Sequence, residues 1–455
     1  MATASDSPVV TTAAPESATS AGARRVWGAP ASAVRRARRS AASTPGRLFV
    51  IGVGLVVLSL LAGVVGAIAM LQKQATIDNL IEHREPLAAA SQQIYRSLSD
   101  ADATAANAFL SGGNPPAALR ERYELDIAQA GANLAKASAD VAGITEAEAQ
   151  VDQLAQQLPV YTGLVETARA YNRQGFPAGA AYLREASGLM RAKLLPAAQE
   201  LYSIDFRRLA DEQAQARSLP WIAGGLVLLL LAALIAAQLY LTRRTNRLLN
   251  VGLLVATIAV VVGLAWGTVA LLIESTRVAN GHDSGTRQVE LAVQARITAL
   301  KMRANETLTL VARGDGAEYE DDWKDLTTEI SGDGSENLLV RAQELADSAV
   351  LEAARENVTD WLAAHQKVRE LDDDGAYQEA VTLAIGDAPE GAAAAFNDLD
   401  ENLLRAINDG RRVFVDETTG ASAAMTGLVP GVVVLALFAA AGVTMGIRER
   451  LQEYR

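Results

Sequence analysis

Between two long apolar runs stands LYLTRRTNRLLN, Leu239–Asn250, which holds three arginines and no acid. The flanking runs, Ser218–Thr242 and Leu248–Ile273, contain no charged residue. Each reaches the roughly 20 residues a helix needs to cross about 30 Å of hydrocarbon, so the arginines mark the tip of a hairpin between two membrane spans. Leu48–Gln72 and Thr418–Ile447 are equally free of charge. Four spans follow, and with them the division of the chain. A tail (1–46) leads to a first span (47–72), an outer segment (73–217) and a second span (218–242). A short loop (243–248) leads to a third span (249–273), a second outer segment (274–423), a fourth span (424–447) and a tail (448–455). Ala67-Ile68-Ala69 imitates a signal cleavage site, but the apolar core before it is longer than the usual 7–15 residues and its N-terminal lead is long.

Charge sets the expected orientation. Residues 1–47 hold seven arginines against two acids, and the hairpin holds Arg243, Arg244 and Arg247 with none. The outer segments reverse the balance: 14 basic and 18 acidic residues in 72–217, 14 and 31 in 274–423. Positive segments stay in the cytoplasm, which places both large segments outside and both termini inside. The tail 1–46, rich in Ala, Ser, Thr, Pro and Arg without apolar period, reads as disordered, its arginines serving topology or resting on anionic membrane lipid. The chain has no cysteine, which suits an exterior without disulfides and excludes thiolate metal sites.

The order span, segment, span occurs twice, and the halves match. Val151, Leu154, Leu158, Tyr161, Val165 and Ala168 follow a 3-4-3-4-3 spacing, the seam of a packed helix. Two hundred residues on, Leu351, Ala354, Val358, Trp361, His365 and Val368 repeat it. Gly175 and Gly375 end both helices, in NRQGFPAGAAYL and LDDDGAYQEAVTL. The pattern predicts one unit used twice, each an extracytoplasmic four-helix bundle: an all-α membrane protein. In the first unit, SGGNPP ends helix A near Leu110. Helix B follows with Tyr123, Ile127, Ala130, Leu134, Ala137 and Val141. Thr145 and Glu148 form a capping-box pattern for helix C. Helix D carries Leu183, Met190, Ala197 and Ile204 toward Pro220. SGDGSEN, Ser331–Asn337, interrupts helix B of the second unit.

Chemistry is scarce. The three histidines, His83, His282 and His365, form no HExxH or paired pattern, and no GxSxG elbow or Walker loop occurs. The reading is a non-enzymatic protein without cofactor or metal. DDDG (Asp372, Asp373, Asp374 and Gly375) is a solvated turn or a weak cation contact. Spans without ionisable groups disfavour pumping. Gly263-xxx-Gly267, Gly427-xxx-Gly431 and Gly442-xxx-Gly446 allow close helix approach, either among the four spans or in a homodimer. Arg84 sits on the seam of helix A, where it pairs with Glu200 or Asp205, snorkels, or meets a carboxylate ligand. His365 is either a titrating group or a core histidine with its partners satisfied. The acidic second unit disfavours nucleic acid.

What remains is reception outside and contact inside. The outer contact is expected at the distal turns: Gly112, Asn114, Arg173, Gln174 and Phe176 in the first unit, and Asp315, Asp372, Asp373 and Asp374 in the second. The inner contact falls on Arg243, Arg244, Arg247, Arg448 and Arg450. Each outer unit, with its seam and distal NRQG or DDDG turn, resembles the four-helix ligand-binding bundle of bacterial chemoreceptors, without their cytoplasmic signalling parts. The whole layout (arginine-rich tail, four spans, two helical outer units) resembles the GlnX-type membrane adaptors of actinobacteria. That resemblance implies a link between an extracellular solute-binding lipoprotein of the glutamine/glutamate class and a cytosolic serine/threonine kinase of the PknG type. A direct small-ligand sensor and a cell-envelope scaffold are the alternatives.

Overall fold

The computed structural model describes residues 44–112, 115–141, 143–245, 250–332, 337–346, 348–386 and 388–452, and among them no strand occurs. Four of the helices are long and apolar enough to cross a membrane, as expected of a multi-pass membrane protein. The chain divides into two compact bodies.

The first body comprises Met1–Gly63, Leu226–Val261 and Val434–Arg455. It is built from parts of the span helices α1 (Thr44–Asn79), α7 (Trp221–Thr245), α8 (Val251–Asn280) and α15 (Leu428–Gln452). Leu55, Leu234, Leu253, Ala256, Ala439 and Val443 form its core. Phe49, Val53, Val57 and Leu61, four residues apart along α1, stay exposed; such a continuous apolar stripe suits lipid and not water. Of the three small-residue pairs, Gly442 and Gly446 make the close backbone contact, while Gly431 gives room to the Trp266 ring. A Cβ on Gly442 would stand 2.7 Å from the Gly252 carbonyl oxygen. Asn250 pins the same crossing, donating from Nδ2 to the Gly446 carbonyl at 2.8 Å. Gly427 plays another part than the expected one: at φ 84 it is the break that precedes α15, and a Cβ on Gly267 would meet open space.

The second body, Val64–Gly225 and Val262–Val433, holds two helical bundles side by side. In the first, α2 (Glu85–Leu110), α3 (Ala117–Asp140), α4 (Thr145–Arg173) and α5 (Ala178–Leu189) with α6 (Leu195–Ala216) are the expected helices A to D. The second repeats them as α9 (Arg287–Ala312), α10 (Ala317–Ser331) with α11 (Leu338–Leu345), α12 (Ala349–Asp373), and α13 (Tyr377–Ile385) with α14 (Ala392–Met425). Helix B of the second bundle breaks after Ser331, as SGDGSEN predicts. Both seams are buried apart from Leu158, which is partly exposed, while Tyr161 and Trp361 are fully enclosed. The two distal turns close identically. Gly175 and Gly375 take φ 73 and 80, and Phe176 N–H and Ala376 N–H reach back to the Tyr171 and Leu371 carbonyls at 3.0 and 2.8 Å. Such a terminus favours glycine because a Cβ is strained at positive φ.

Three features differ from expectation. Ile144, not Thr145, precedes α4 as its cap residue, and no side chain caps the helix end. Glu148 still turns back, accepting from Gly143 N–H at 2.8 Å. Helix D stops at Ala216 before the span helix restarts at Trp221, because Pro220 supplies no N–H for continuation. Finally, π turns interrupt the seams at Leu80–Arg84, Met190–Leu194 and Gly281–Thr286. Each re-aims the following helix face, and none leaves a mark in the apolar spacing.

Candidate functional site

The distal turns gather most of the expected outer contacts. In the first bundle Asn172 Nδ2 donates to the carbonyls of Phe109 and Gly112 at 3.1 and 3.4 Å, tying the Gly112 turn to the one that carries Arg173, Gln174 and Phe176. Tyr171 stacks on Tyr182 at 5.4 Å and meets the half-exposed Phe176 edge-on. Asn114 lies outside the described residues. In the second bundle an open cavity of 770 Å³ lies beside the Asp315 turn and includes Asp372 and Asp373. Those two acids are not free: Arg369 holds them at 2.7 and 2.8 Å. Asp374 is exposed beside them.

Beneath that turn lies a buried charge network that joins α9, α10 and α12. His365 Nδ1 contacts Glu306 Oε1 at 3.0 Å, and Nε2 contacts Glu320 Oε2 at 3.3 Å. Its ring stacks on Trp323 at 3.7 Å. Arg303 pairs with Glu306 and donates to the Ala384 carbonyl at 2.9 Å. Arg369 approaches Glu320 at 3.5 Å. Burial opposes the charged imidazolium, but the carboxylates of Glu306 and Glu320 outweigh it and hold the His365 pKa above its usual 6.5. Burial also opposes the Glu320 carboxylate, yet His365, Arg369 and Lys324 carry its pKa below 4.5. His365 is thus a core histidine set between two carboxylates, hydrogen-bonded to Glu306 through Nδ1 and facing Glu320 through an Nε2 that makes no hydrogen bond. The sequence singled out His365 alone, because Glu306 and Glu320 sit on other helices at no recognisable spacing from it.

The first bundle solves the same interior differently. Asp102 accepts from Tyr161 Oη at 3.1 Å and Ser187 Oγ at 2.9 Å. Burial pushes its carboxyl up to about 6, against the hydrogen bonds and the Arg191 charge. With the folded pKa raised above the unfolded value of 3.8, the fold gains stability as pH falls through 6 and loses it above. Asp102→Asn is therefore expected to raise the melting temperature at pH 7.5 and to have little effect at pH 4.5, read by circular dichroism.

Where the bundles face each other, a cavity of 340 Å³ opens between α2, the π turn and α6 of the first and α9 and α10 of the second. Its polar lining includes Ser99, Asp102, Arg191, Lys301, Asp322 and Asp325, and Leu195, Leu300 and Leu326 supply apolar wall. The π turn Met190–Leu194 carries Arg191, whose guanidinium lies over the Tyr319 ring at 4.7 Å. Arg191 reaches Asp322 only at 3.8 Å, beyond hydrogen-bond range, and its buried Nε has no partner. Lys301 holds the Gln199 amide oxygen at 3.3 Å. Nearby, Arg296 grips Asp400 with two bonds, 2.6 and 3.0 Å.

Sequence reading also missed Lys73 and Glu274. Each stands one residue beyond an uncharged run, and they form a buried pair at 2.8 Å; Lys73 also donates to the Ser218 carbonyl at 3.1 Å. The signal was their spacing of about 200, the same offset that relates the two seams. Of the expected inner contacts, Arg243 and Arg448 are exposed. Arg247, the side chains of Arg244, Arg450 and Arg84, and the 1–43 part of the tail lie outside the described residues.

Residues 76–214 match the family described as actinobacterial sensor domain. The matched segment is the first bundle with the end of the helix that leads into it. Comparison with curated proteins and with solved structures returns no match.

Proposed function

We propose that the chain is a transmembrane sensory adaptor, whose outer bundles receive a signal and pass it along continuous helices to a cytosolic partner. The observation that carries this reading is helix continuity. α1 passes through the Leu80–Arg84 π turn into α2, and α8 passes through Gly281–Thr286 into α9, without a loop. The entry helix of each bundle is thus the extension of a span, so a displacement of about 1–2 Å in a bundle has a stiff path into the membrane. The sensor-domain match over the first bundle supports the same role. The shared offset of the seams, the glycine turns and the Leu80–Arg84 and Gly281–Thr286 π turns supports descent of both bundles from one duplicated unit.

In the finer form of this proposal, a solute-binding lipoprotein brings an amino-acid signal to the distal turns. A serine/threonine kinase reads the arginines around Arg243 and Arg448. A second reading, direct recognition of a small ligand, is favoured by the cavity between the bundles.

The orientation has a direct test, since the chain lacks cysteine. With Gln174→Cys or Asp374→Cys, a membrane-impermeant maleimide is expected to label intact cells. With Arg243→Cys it should label only after permeabilisation. The reverse pattern would overturn the proposal. Photocrosslinking from position 243 in intact membranes is expected to trap a kinase; capture of lipid alone would remove the adaptor role.

A further inference from the structure

The 340 Å³ cavity between the bundles lies within the range of small-molecule sites. Its lining combines three kinds of surface. Arg191 and Lys301 supply positive charge from the two facing bundles. Asp102, Asp322 and Asp325 supply negative charge. Leu195, Leu300, Leu326 and Pro196 supply apolar wall. Neither cation has a close carboxylate: Arg191 lies 3.8 Å from Asp322, donates to the Asn305 amide oxygen at 3.5 Å and leaves Nε without a hydrogen bond, and Lys301 holds the neutral Gln199 amide. Both cations are partly withdrawn from water, and a ligand carboxylate would give them a charge-assisted partner. With three acids against two bases, a second anionic group on the ligand would be repelled, whereas an ammonium would be drawn to Asp322 and Asp325.

We infer that this cavity is a binding site for a small zwitterion with an aliphatic body: one carboxylate against Arg191 and Lys301, one ammonium against Asp322 and Asp325, and the hydrocarbon against the leucines. The inference deepens the sensor reading by naming the ligand class, and it rests on that reading only for what binding would signal. Because first-bundle and second-bundle residues both line the site, occupancy would tie the bundles together. Such a ligand acts on the relay to the extent that it favours one arrangement of the bundles over another.

The test is calorimetry on the full chain in phosphatidylcholine nanodiscs, with L-valine, L-leucine, 4-methylpentanoate, 3-methylbutylamine and L-glutamate as probes. Saturable binding is expected for valine or leucine. The analogues that lack the amine or the carboxylate, and glutamate with its extra charge, are expected to bind at least about tenfold more weakly, the scale of one lost charged hydrogen bond. Lys301→Met and Asp322→Asn should each weaken leucine by a similar factor, and Lys324→Met, outside this cavity, should not. Absence of saturation by both valine and leucine, or analogues that bind within a few-fold of leucine, would overturn the assignment. So would a folded Lys301→Met that keeps full affinity. If a variant fails to fold, the ranking of probes on the unaltered chain still decides. Binding is read without any cytosolic component, so its failure leaves the relay standing, and reversed maleimide labelling leaves the binding result intact.

Discussion

Glu306→Ala is expected to lower the stability of the second bundle by about 3–5 kcal/mol, the cost of breaking a buried ion pair by removing one partner. Glu306 is fully enclosed and is the shared counter-ion of Arg303 and His365; without it two cationic groups face each other in the core. Tryptophan fluorescence reads the loss, because Trp323 stacks on His365 and Trp361 lies edge-on to Trp323 at 6.4 Å. The first bundle supplies the repair. Two hundred residues upstream of Arg303, Glu306 and His365 stand Ala103, Ala106 and Val165, of which Ala106 and Val165 are buried and Ala103 partly so, so Arg303→Ala, Glu306→Ala and His365→Val together replace the charge cluster by the small apolar groups found at those places in the first bundle. The triple variant is expected to recover part of the loss, since replacing a buried charge cluster by apolar groups is often near neutral. A triple variant less stable than Glu306→Ala alone would contradict the account.

The same network predicts the pH profile of the unaltered chain. The His365 pKa is raised, so its contribution is fully present below 6.5 and is lost as pH rises through the folded value. The Glu320 pKa is lowered, so its contribution is present above 4.5 and is lost as pH falls through the folded value. The charges around the ring on α9, α10 and α12 are Arg303, Glu306, Glu320, Lys324, Arg369 and Asp372. The second bundle should therefore be most stable in mildly acidic solution, between those limits. His365→Val should flatten the alkaline limb of a melting-temperature profile.

Local patterns told most of the fold, and contacts across helices told most of the site. The spans, the seams from Val151 and Leu351, and the glycine turns at 175 and 375 are visible because a helix stamps its period and its end on neighbouring residues. The π turns are invisible because one inserted residue shifts a face without changing composition. Glu306 with His365, Arg296 with Asp400, and Lys73 with Glu274 are pairs across long sequence separations, and single-chain periodicity carries no information about which helices meet. The distal acids were legible as exposed charge, but the sequence did not say that Arg369, three and four residues before Asp372 and Asp373, already holds two of them.

Arg296→Met is expected to cost about 3–5 kcal/mol by the same buried-charge argument, with a different consequence. Arg296 is 2% exposed and grips Asp400 with two hydrogen bonds. Its charge also acts on Asp100 of the first bundle, which pairs with Arg96 at 3.3 Å. Burial raises the Asp100 carboxyl and Asp400 adds to that, while Arg296, Arg96 and Arg122 oppose it. Removing Arg296 leaves Asp400 without its partner and withdraws one of the positive charges that act on Asp100, which keeps Arg96. The penalty should therefore be largest at neutral pH and should shrink as pH falls and the carboxylates take up protons. Arg296→Met with Asp400→Leu should regain a large part of the loss, because the orphaned acid is then gone. Thermal melting of the three chains at pH 7.5 and pH 5 checks the argument. A single variant that melts like the unaltered chain at pH 7.5, or a double variant no better than the single, would show that the pair is not what holds this part of the second bundle.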